Sequence, residues 1–503
     1  MKKIFLNVNS KNVIGKIEPT IFGSFVEHLG RSIYDGFYEP NHPLADKNGF
    51  RQDVKDAVKE LGVSIVRYPG GNFVSQYDWK MGIGPKENRK ATLNLAWNEV
   101  EPNLVGIDDF VPLMEECGVE VMMVYNLGTG SYDDVNYLTQ YCNVKSGTYW
   151  ADQRIKNGNE KPFSIKYWGL GNEMDGEWQI CHMPAEEYAK KALLSAQIAK
   201  AVDPNSKTII AGSNSYYSPT FPEWDKTVLN IAYKYIDYLS IHIYFTYPDI
   251  LNKNYTEFFG CYKDFEKYIQ KSIEIINVIN ENKKEKKDVY LSLDEWNVWH
   301  ALPNEKQHGD GLTYGNHLLE NHYDYADSLV FTALLLTILN NVNYIKIACL
   351  AQLVNVIAPI LTEKNGSLVK QTIYYPFSLL ANSIKDFYSL NVDGDIPTFM
   401  TKKYGKAEGL IKNVSFDEKT SSYVISLLNL TDEEFNINFT FNQSLLLNKE
   451  VVLANHDFND LNTFKHPNNV VPVTKIINKS VGDSFNYSLP KYSFVVLYAK
   501  KGE

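Results

Sequence analysis

The sequence predicts an α/β fold: a (β/α)8 TIM barrel followed by a smaller antiparallel β-sandwich domain. Three observations carry this. Between residues 16 and 380, short apolar runs alternate eight times with longer amphipathic segments. Polar and aromatic residues gather just after those runs. From about residue 381 the pattern changes to brief strands broken by Asn, Asp, Gly and Pro. Val- and Ile-rich strands separated by helices pair in parallel through right-handed crossovers. Eight such repeats suit a closed barrel, and an open doubly wound sheet is the alternative.

The predicted barrel strands end near Phe25 (EPTIFGSF), Arg67 (VSIVR), Tyr125 (VEVMMVY) and Gly171 (SIKYWGLG), then near Gly212 (KTIIAG), Tyr244 (YLSIHIY), Asp294 (VYLSLD) and Leu350 (YIKIACL). Helices are predicted over Asp53 to Leu61, Pro184 to Val202 and Tyr262 to Glu281. In the first, Val54, Ala57, Val58 and Leu61 recur at i, i+3, i+4 and i+7 and share one face. The charge run from Asn282 to Asp288 reads as a solvated loop before strand seven. Beyond 381, alternation such as Phe435-Asn436-Ile437-Asn438-Phe439 has the period of a half-buried strand. The first 15 residues are also strand-like and are expected to complete that sheet.

Composition excludes several functions. Lys and Arg number 50 against 60 Asp and Glu, a net charge of −10. An acidic chain is a poor partner for nucleic acid. The five Cys form no CxxC pair, which argues against a disulfide framework and a zinc site. The longest apolar stretch, Val330 to Leu339, is too short to cross a bilayer. No apolar segment of a signal peptide follows the first lysines, so the cell interior is the expected location. No HExxH, Walker A, dinucleotide-binding or GxSxG motif is present. No metal and no cofactor is expected.

Barrel enzymes place their chemistry at the C-terminal ends of the strands. Those ends deliver Glu27 and His28, then Arg67 with Gly70, Gly71 and Asn72, then Asn126. Strand four runs into Asn172 and Glu173, and strand five is followed by Asn214. Strand six carries His242 and Tyr244. Strand seven brings Glu295 and Trp299, and strand eight is followed by Gln352. Singly, several have plain structural readings: Glu27 as a helix cap, Arg67 as an ion-pair partner, His242 as a core histidine, Gly70-Gly71 as a turn. Trp97 and Trp299 fall in predicted loops, where indoles suit the C–H face of a sugar. The distinctive feature is Glu173 and Glu295, which follow strands four and seven and project into the same mouth. Glycoside cleavage needs such a pair, one carboxyl protonated and one ionised.

At these residues the sequence becomes recognisable. YPGGNFVSQYDWKMGIGP, KYWGLGNEMDG, LDEWNVW and KIACLAQLVNVIAPI resemble glycoside hydrolase family 51, mainly α-L-arabinofuranosidases. The likeness spans essentially the whole chain. It implies a retaining, exo-acting hydrolase of arabinose-containing oligosaccharides, with Glu173 as acid/base and Glu295 as nucleophile. It places Glu27, Arg67, Asn72, Asn172, Tyr244 and Gln352 around the arabinose and the nucleophile. His242 becomes a partner of the acid/base, and Trp97 and Trp299 line the entrance. It also implies a homo-oligomer, commonly a hexamer. Glu177 departs from the proline the family often has after MDG and is expected to add a charge near the mouth that alters leaving-group preference. The segment 301–322, hard to align, follows the nucleophile strand and is expected to shape the aglycone side. Endoglucanase or xylosidase activity, and a carbohydrate-binding barrel without catalysis, are the alternative functions.

Overall fold

The computed structural model describes residues 2–247, 253–302 and 305–502. Eight parallel strands close into a barrel: Gly23–Phe25, Ile65–Tyr68, Glu120–Tyr125, Tyr167–Leu170, Lys207–Ala211, Tyr238–Phe245, Tyr290–Val298 and Ile345–Leu350. They are numbered one to eight below. Each coincides with a predicted apolar run. They are buried on both faces, as in other parallel sheets, and the polar residues that alternate along strand six, Ser240 and His242, are buried too. Strand eight closes onto strand one through Cys349 opposite Gly23. The closed alternative is therefore the observed one.

The helices follow from where their apolar residues fall. Gln52–Leu61 buries Val54, Ala57, Val58 and Leu61 and ends at Gly62, whose φ of 84° the helix terminus requires. Ala185–Val202 buries Tyr188, Ala189, Ala192, Ala196 and Ala199 against the barrel. The apolar stretch at 330–339 lies in the helix Tyr325–Leu339, every residue of which is buried. Its all-round apolarity has a simple cause. One side packs on strand seven and another on the C-terminal sheet. No helix among the described residues is long and apolar enough to cross a membrane.

The C-terminal sheet runs Lys2–Lys16, Tyr388–Asp393, Leu410–Asp417, Ser422–Asn429, Ser493–Lys501, Phe435–Leu453 and Val473–Leu489. The N-terminal strand pairs antiparallel with Tyr388–Asp393 and parallel with Phe435–Leu453, Ile4 lying opposite Ile437. That second pairing joins the first strand of the order to the last but one, and the sheet is antiparallel throughout except at this seam. Period two sorts its side chains. Along Ser422–Asn429, Tyr423, Ile425 and Leu427 face an interior shared with Ile4, Leu6, Ile437 and Phe439. Val424 and Leu428 face the barrel's core. The 282–288 run is a loop, but Lys287 is not simply solvated. Its Nζ donates to the carbonyls of Lys234 and Ile236, and burial lowers its pKa to about 8.

Candidate active site

The two glutamates meet at the C-terminal mouth of the barrel. Strand seven is irregular between Ser292 and Glu295, after which Glu295 aligns with His242 of strand six. An irregularity of this kind re-aims side chains beside an active site. Glu173 sits just past strand four with φ 41°, a left-handed conformation that costs a non-glycine residue on the order of 1 kcal/mol. Gly171 at φ 82° and a turn closed from Gly176 N–H to the Glu173 carbonyl hold it there. Side-chain atoms of Glu173, His242 and Glu295 all lie within 4.8 Å of one another.

Glu295 is gripped on both oxygens. Arg67 Nη1 donates to Oε1 at 2.7 Å, and the Tyr244 hydroxyl donates to Oε2 at 2.6 Å. Burial alone would raise its pKa. The positive charges of His242 and Arg67, with these hydrogen bonds, outweigh burial and hold it below the ordinary carboxylate value. Glu173 is shifted the other way. Burial raises its pKa, the charge of Glu295 adds to this, and the hydrogen bond from His242 opposes it. His242 Nδ1 lies 2.9 Å from Glu173 Oε1 and 3.7 Å from Glu295 Oε1. Burial would lower its pKa, but the two carboxylates raise it, so the ring favours its charged form.

Arg67 is 1% exposed, with its guanidinium over the Phe25 ring. Its second fork arm donates to Asn172 Oδ1 at 2.6 Å, and Asp294 lies 3.9 Å from its Nε. Asn172 passes its own amide to Asn72 Oδ1 at 3.1 Å. Glu27 is buried, accepts from Phe73 N–H at 2.8 Å and Trp97 Nε1 at 3.0 Å, and is raised to about 7 by that burial. Gly71 has a spatial reason to be glycine. A Cβ there would stand 3.0 Å from Glu295 Oε1.

A cavity of about 470 Å³ opens over this group. Glu27, Asn72, Trp97, Glu173, Tyr244, Glu295, Trp299 and Gln352 all line it. Arg67, Asn172 and His242 do not. They stand behind the wall and act on its residues. Gln352 Oε1 and Trp299 Nε1 are buried without a hydrogen-bond partner, as polar atoms awaiting a polar ligand would be. Trp299 packs edge-on against Tyr244, and Trp97 stacks on His308. The Trp97 indole thus already serves Glu27 and His308 as well as the entrance. Sequence reasoning missed Trp178, whose Nε1 donates to Glu173 Oε2 at 3.0 Å although the ring is 57% exposed. The turn that links them was not legible from spacing. It also missed Gln307 and His308 on the wall. Glu177 is exposed and does not line this cavity.

Among the described residues, the one group with metal-like spacing is Glu173, His242 and Glu295 itself. Its chemistry does not suit a cation. The Arg67 guanidinium already occupies Glu295, and a ligating histidine must be neutral. The five Cys are all free thiols.

Comparison with known proteins agrees with this geometry. Residues 57–259 match the family model of an α-L-arabinofuranosidase 1 domain, and residues 294–493 match that of an α-L-arabinofuranosidase C-terminal domain. An intracellular exo-α-(1→5)-L-arabinofuranosidase of Acetivibrio thermocellus is 45% identical over 75% of each chain. One from Bacillus subtilis is 38% identical over 94% of each chain. The solved structure of a family 51 α-L-arabinofuranosidase from Bifidobacterium longum superposes with a TM-score of 0.94 at 37% identity, covering 99% of both chains. The chain belongs to glycoside hydrolase family 51, the α-L-arabinofuranosidases.

Proposed function

We propose that the protein is a retaining, exo-acting α-L-arabinofuranosidase in which Glu173 is the acid/base and Glu295 the nucleophile. The observation that carries the role assignment is a pair of carboxylates with oppositely shifted pKa values within 4.8 Å of each other in one cavity. Carboxyl groups about 5–5.5 Å apart suit retention, whereas inversion needs room for a water between them.

Protonated Glu173 gives its proton to the glycosidic oxygen as Glu295 attacks C1. The C1–O bond breaks, the alcohol leaves, and a covalent arabinofuranosyl ester forms on Glu295. Ester formation removes the charge that helped hold the proton on Glu173. Glu173, now ionised, takes a proton from water, whose oxygen displaces Glu295 from C1. Arg67 and Tyr244 keep Glu295 ionised and fix the plane of its carboxylate. His242 donates to Glu173 Oε1, leaving Oε2 to carry the proton. Trp178 must release Oε2 before that proton can reach a substrate. Glu27, Gln352 and Asn72 serve the sugar hydroxyls. Asn172 reaches the 2-OH only by sharing the amide that Asn72 holds.

The relatives' names, intracellular exo-α-(1→5)-L-arabinofuranosidases, support terminal α-(1→5)-linked arabinofuranose as the group cleaved and the cell interior as location. A hexameric assembly completes the proposal, and light scattering in solution tests it. Hydrolysis of p-nitrophenyl α-L-arabinofuranoside beside the β-D-xyloside and β-D-glucoside tests the activity. Rapid release from the arabinoside alone is expected. Activity confined to either of the others would overturn the substrate assignment.

A further inference from the structure

After the nucleophile strand, residues 305–316 run beside the barrel mouth as a strap. Its course is set by backbone pairing with the hairpin formed by Thr92–Asn94 and Glu99–Glu101. Gly309 N–H donates to the Trp97 carbonyl at 2.7 Å, and Gly311 N–H donates to the Asn98 carbonyl at 2.7 Å. Further along, Val100 N–H donates to the Thr313 carbonyl. Gly309 cannot be replaced without moving the strap. A Cβ there would fall 2.5 Å from the Asn98 carbonyl oxygen and 2.6 Å from Glu99 Cγ. The Glu99 carboxylate, 3% exposed, fastens the strap to the loop after strand one. It accepts from Asn316 Nδ2 at 2.8 Å and from Gly30 N–H at 2.8 Å. That same loop carries Glu27.

This anchoring places Gln307 and His308 on the wall of the catalytic cavity. The His308 ring stacks on Trp97, with centroids 6.0 Å apart and planes 30° apart. Neither side chain is hydrogen-bonded to another described residue. Both are exposed, so their amide and ring nitrogens remain available at the mouth. The groups deep in the cavity are committed differently. Tyr244, and Arg67 from behind the wall, both bond to Glu295, and Glu27 is tied to Trp97.

Resting on the arabinofuranosidase reading above, we propose that Gln307 and His308 are specificity-determining residues. They hydrogen-bond the hydroxyls of the second sugar, the pentose that leaves when the terminal arabinose is cleaved. The strap steadies this recognition, because its backbone is clamped to the hairpin at Gly309, directly after the pair, and again at Gly311 and Thr313. Preference for a sugar leaving group thus comes from the loop after strand seven.

The test compares two substrates that differ only at the leaving group, α-(1→5)-L-arabinobiose and methyl α-L-arabinofuranoside. The variants are the double change Gln307→Ala with His308→Ala, and Gly309→Ala, which shifts the strap. Losing one or two modest hydrogen bonds lowers kcat/KM on the disaccharide by about five- to thirtyfold relative to the methyl glycoside. Gly309→Ala shifts the ratio in the same direction. An unchanged ratio in the double variant, whether both activities persist or fall together, overturns the proposal. If the unaltered enzyme cleaves neither arabinoside, it is the underlying arabinofuranosidase reading that fails.

Discussion

Tyr244→Phe isolates one contact to the nucleophile. The phenol donates to Glu295 Oε2 at 2.6 Å, while Arg67 remains on Oε1 at 2.7 Å. Phenylalanine fills nearly the same space, so the edge-on packing with Trp299 is kept. A hydrogen bond to a charged group contributes roughly 1.5–3 kcal/mol. It favours the ionised form, so its loss raises the Glu295 pKa. At about 1.36 kcal/mol per unit, the rise is about one to two pH units. Glu295 must be ionised to attack, so the acid limb of kcat/KM moves upward by that amount. His242, Arg67 and Glu173 also face the nucleophile and are unchanged by the substitution. Glu27, raised to about 7, titrates nearby, and a Glu27→Gln background separates its contribution. The assay is kcat/KM for p-nitrophenyl α-L-arabinofuranoside from about pH 3 to 9, with plateau activity falling by no more than about tenfold. An acid limb that stays in place would refute the view that Glu295 ionisation governs it and that Tyr244 depresses its pKa.

Two further outcomes follow from the same geometry. Glu173→Ala spares the first step for nitrophenyl leaving groups, slows it for alkyl and sugar leaving groups, and is rescued by azide at the second step, as product analysis by NMR would show. Equal loss on all substrates without rescue would reverse the role assignment. Asp225 is wholly buried, accepts from Ser213 through one oxygen, and has its other oxygen unpartnered. Burial raises its pKa from 3.8 to about 7. The folded state therefore holds a proton that the unfolded chain loses between those values. Stability falls as pH rises through that window, by up to about 4 kcal/mol from this group. Asp225→Asn removes that slope, so urea unfolding at pH 4.5 and 7.5 differs less in the variant. An identical pH dependence would contradict the buried, protonated carboxyl.

The barrel was legible because each strand is an apolar run too short for a helix and helices such as Gln52–Leu61 bear an apolar stripe. The glutamate pair was legible because strand ends four and seven must share one mouth. What spacing could not supply were contacts made across the fold. The approach of Glu173 and Glu295 to within 4.8 Å follows the irregularity in strand seven. The Trp178 contact to Glu173 depends on a tight turn, and that of Trp97 to Glu27 on two loops meeting. Arg67 reads in sequence as one cation at a strand end. Only the fold shows it spanning Glu295 and Asn172 together. The sequence pointed to 301–322 as a segment that shapes the leaving-group side, but not to its course, because its pairing is made by backbone atoms, which any sequence possesses, and only the glycine at 309 marks the close approach.

The most direct test of the account is the stereochemistry of the first product. Proton NMR can follow p-nitrophenyl α-L-arabinofuranoside cleaved in aqueous methanol, where methanol competes with water for the covalent intermediate. The close carboxylate pair predicts methyl α-L-arabinofuranoside, with configuration retained. Initial release of the β-anomer would mean a single displacement, and would contradict Glu295 as a covalent nucleophile.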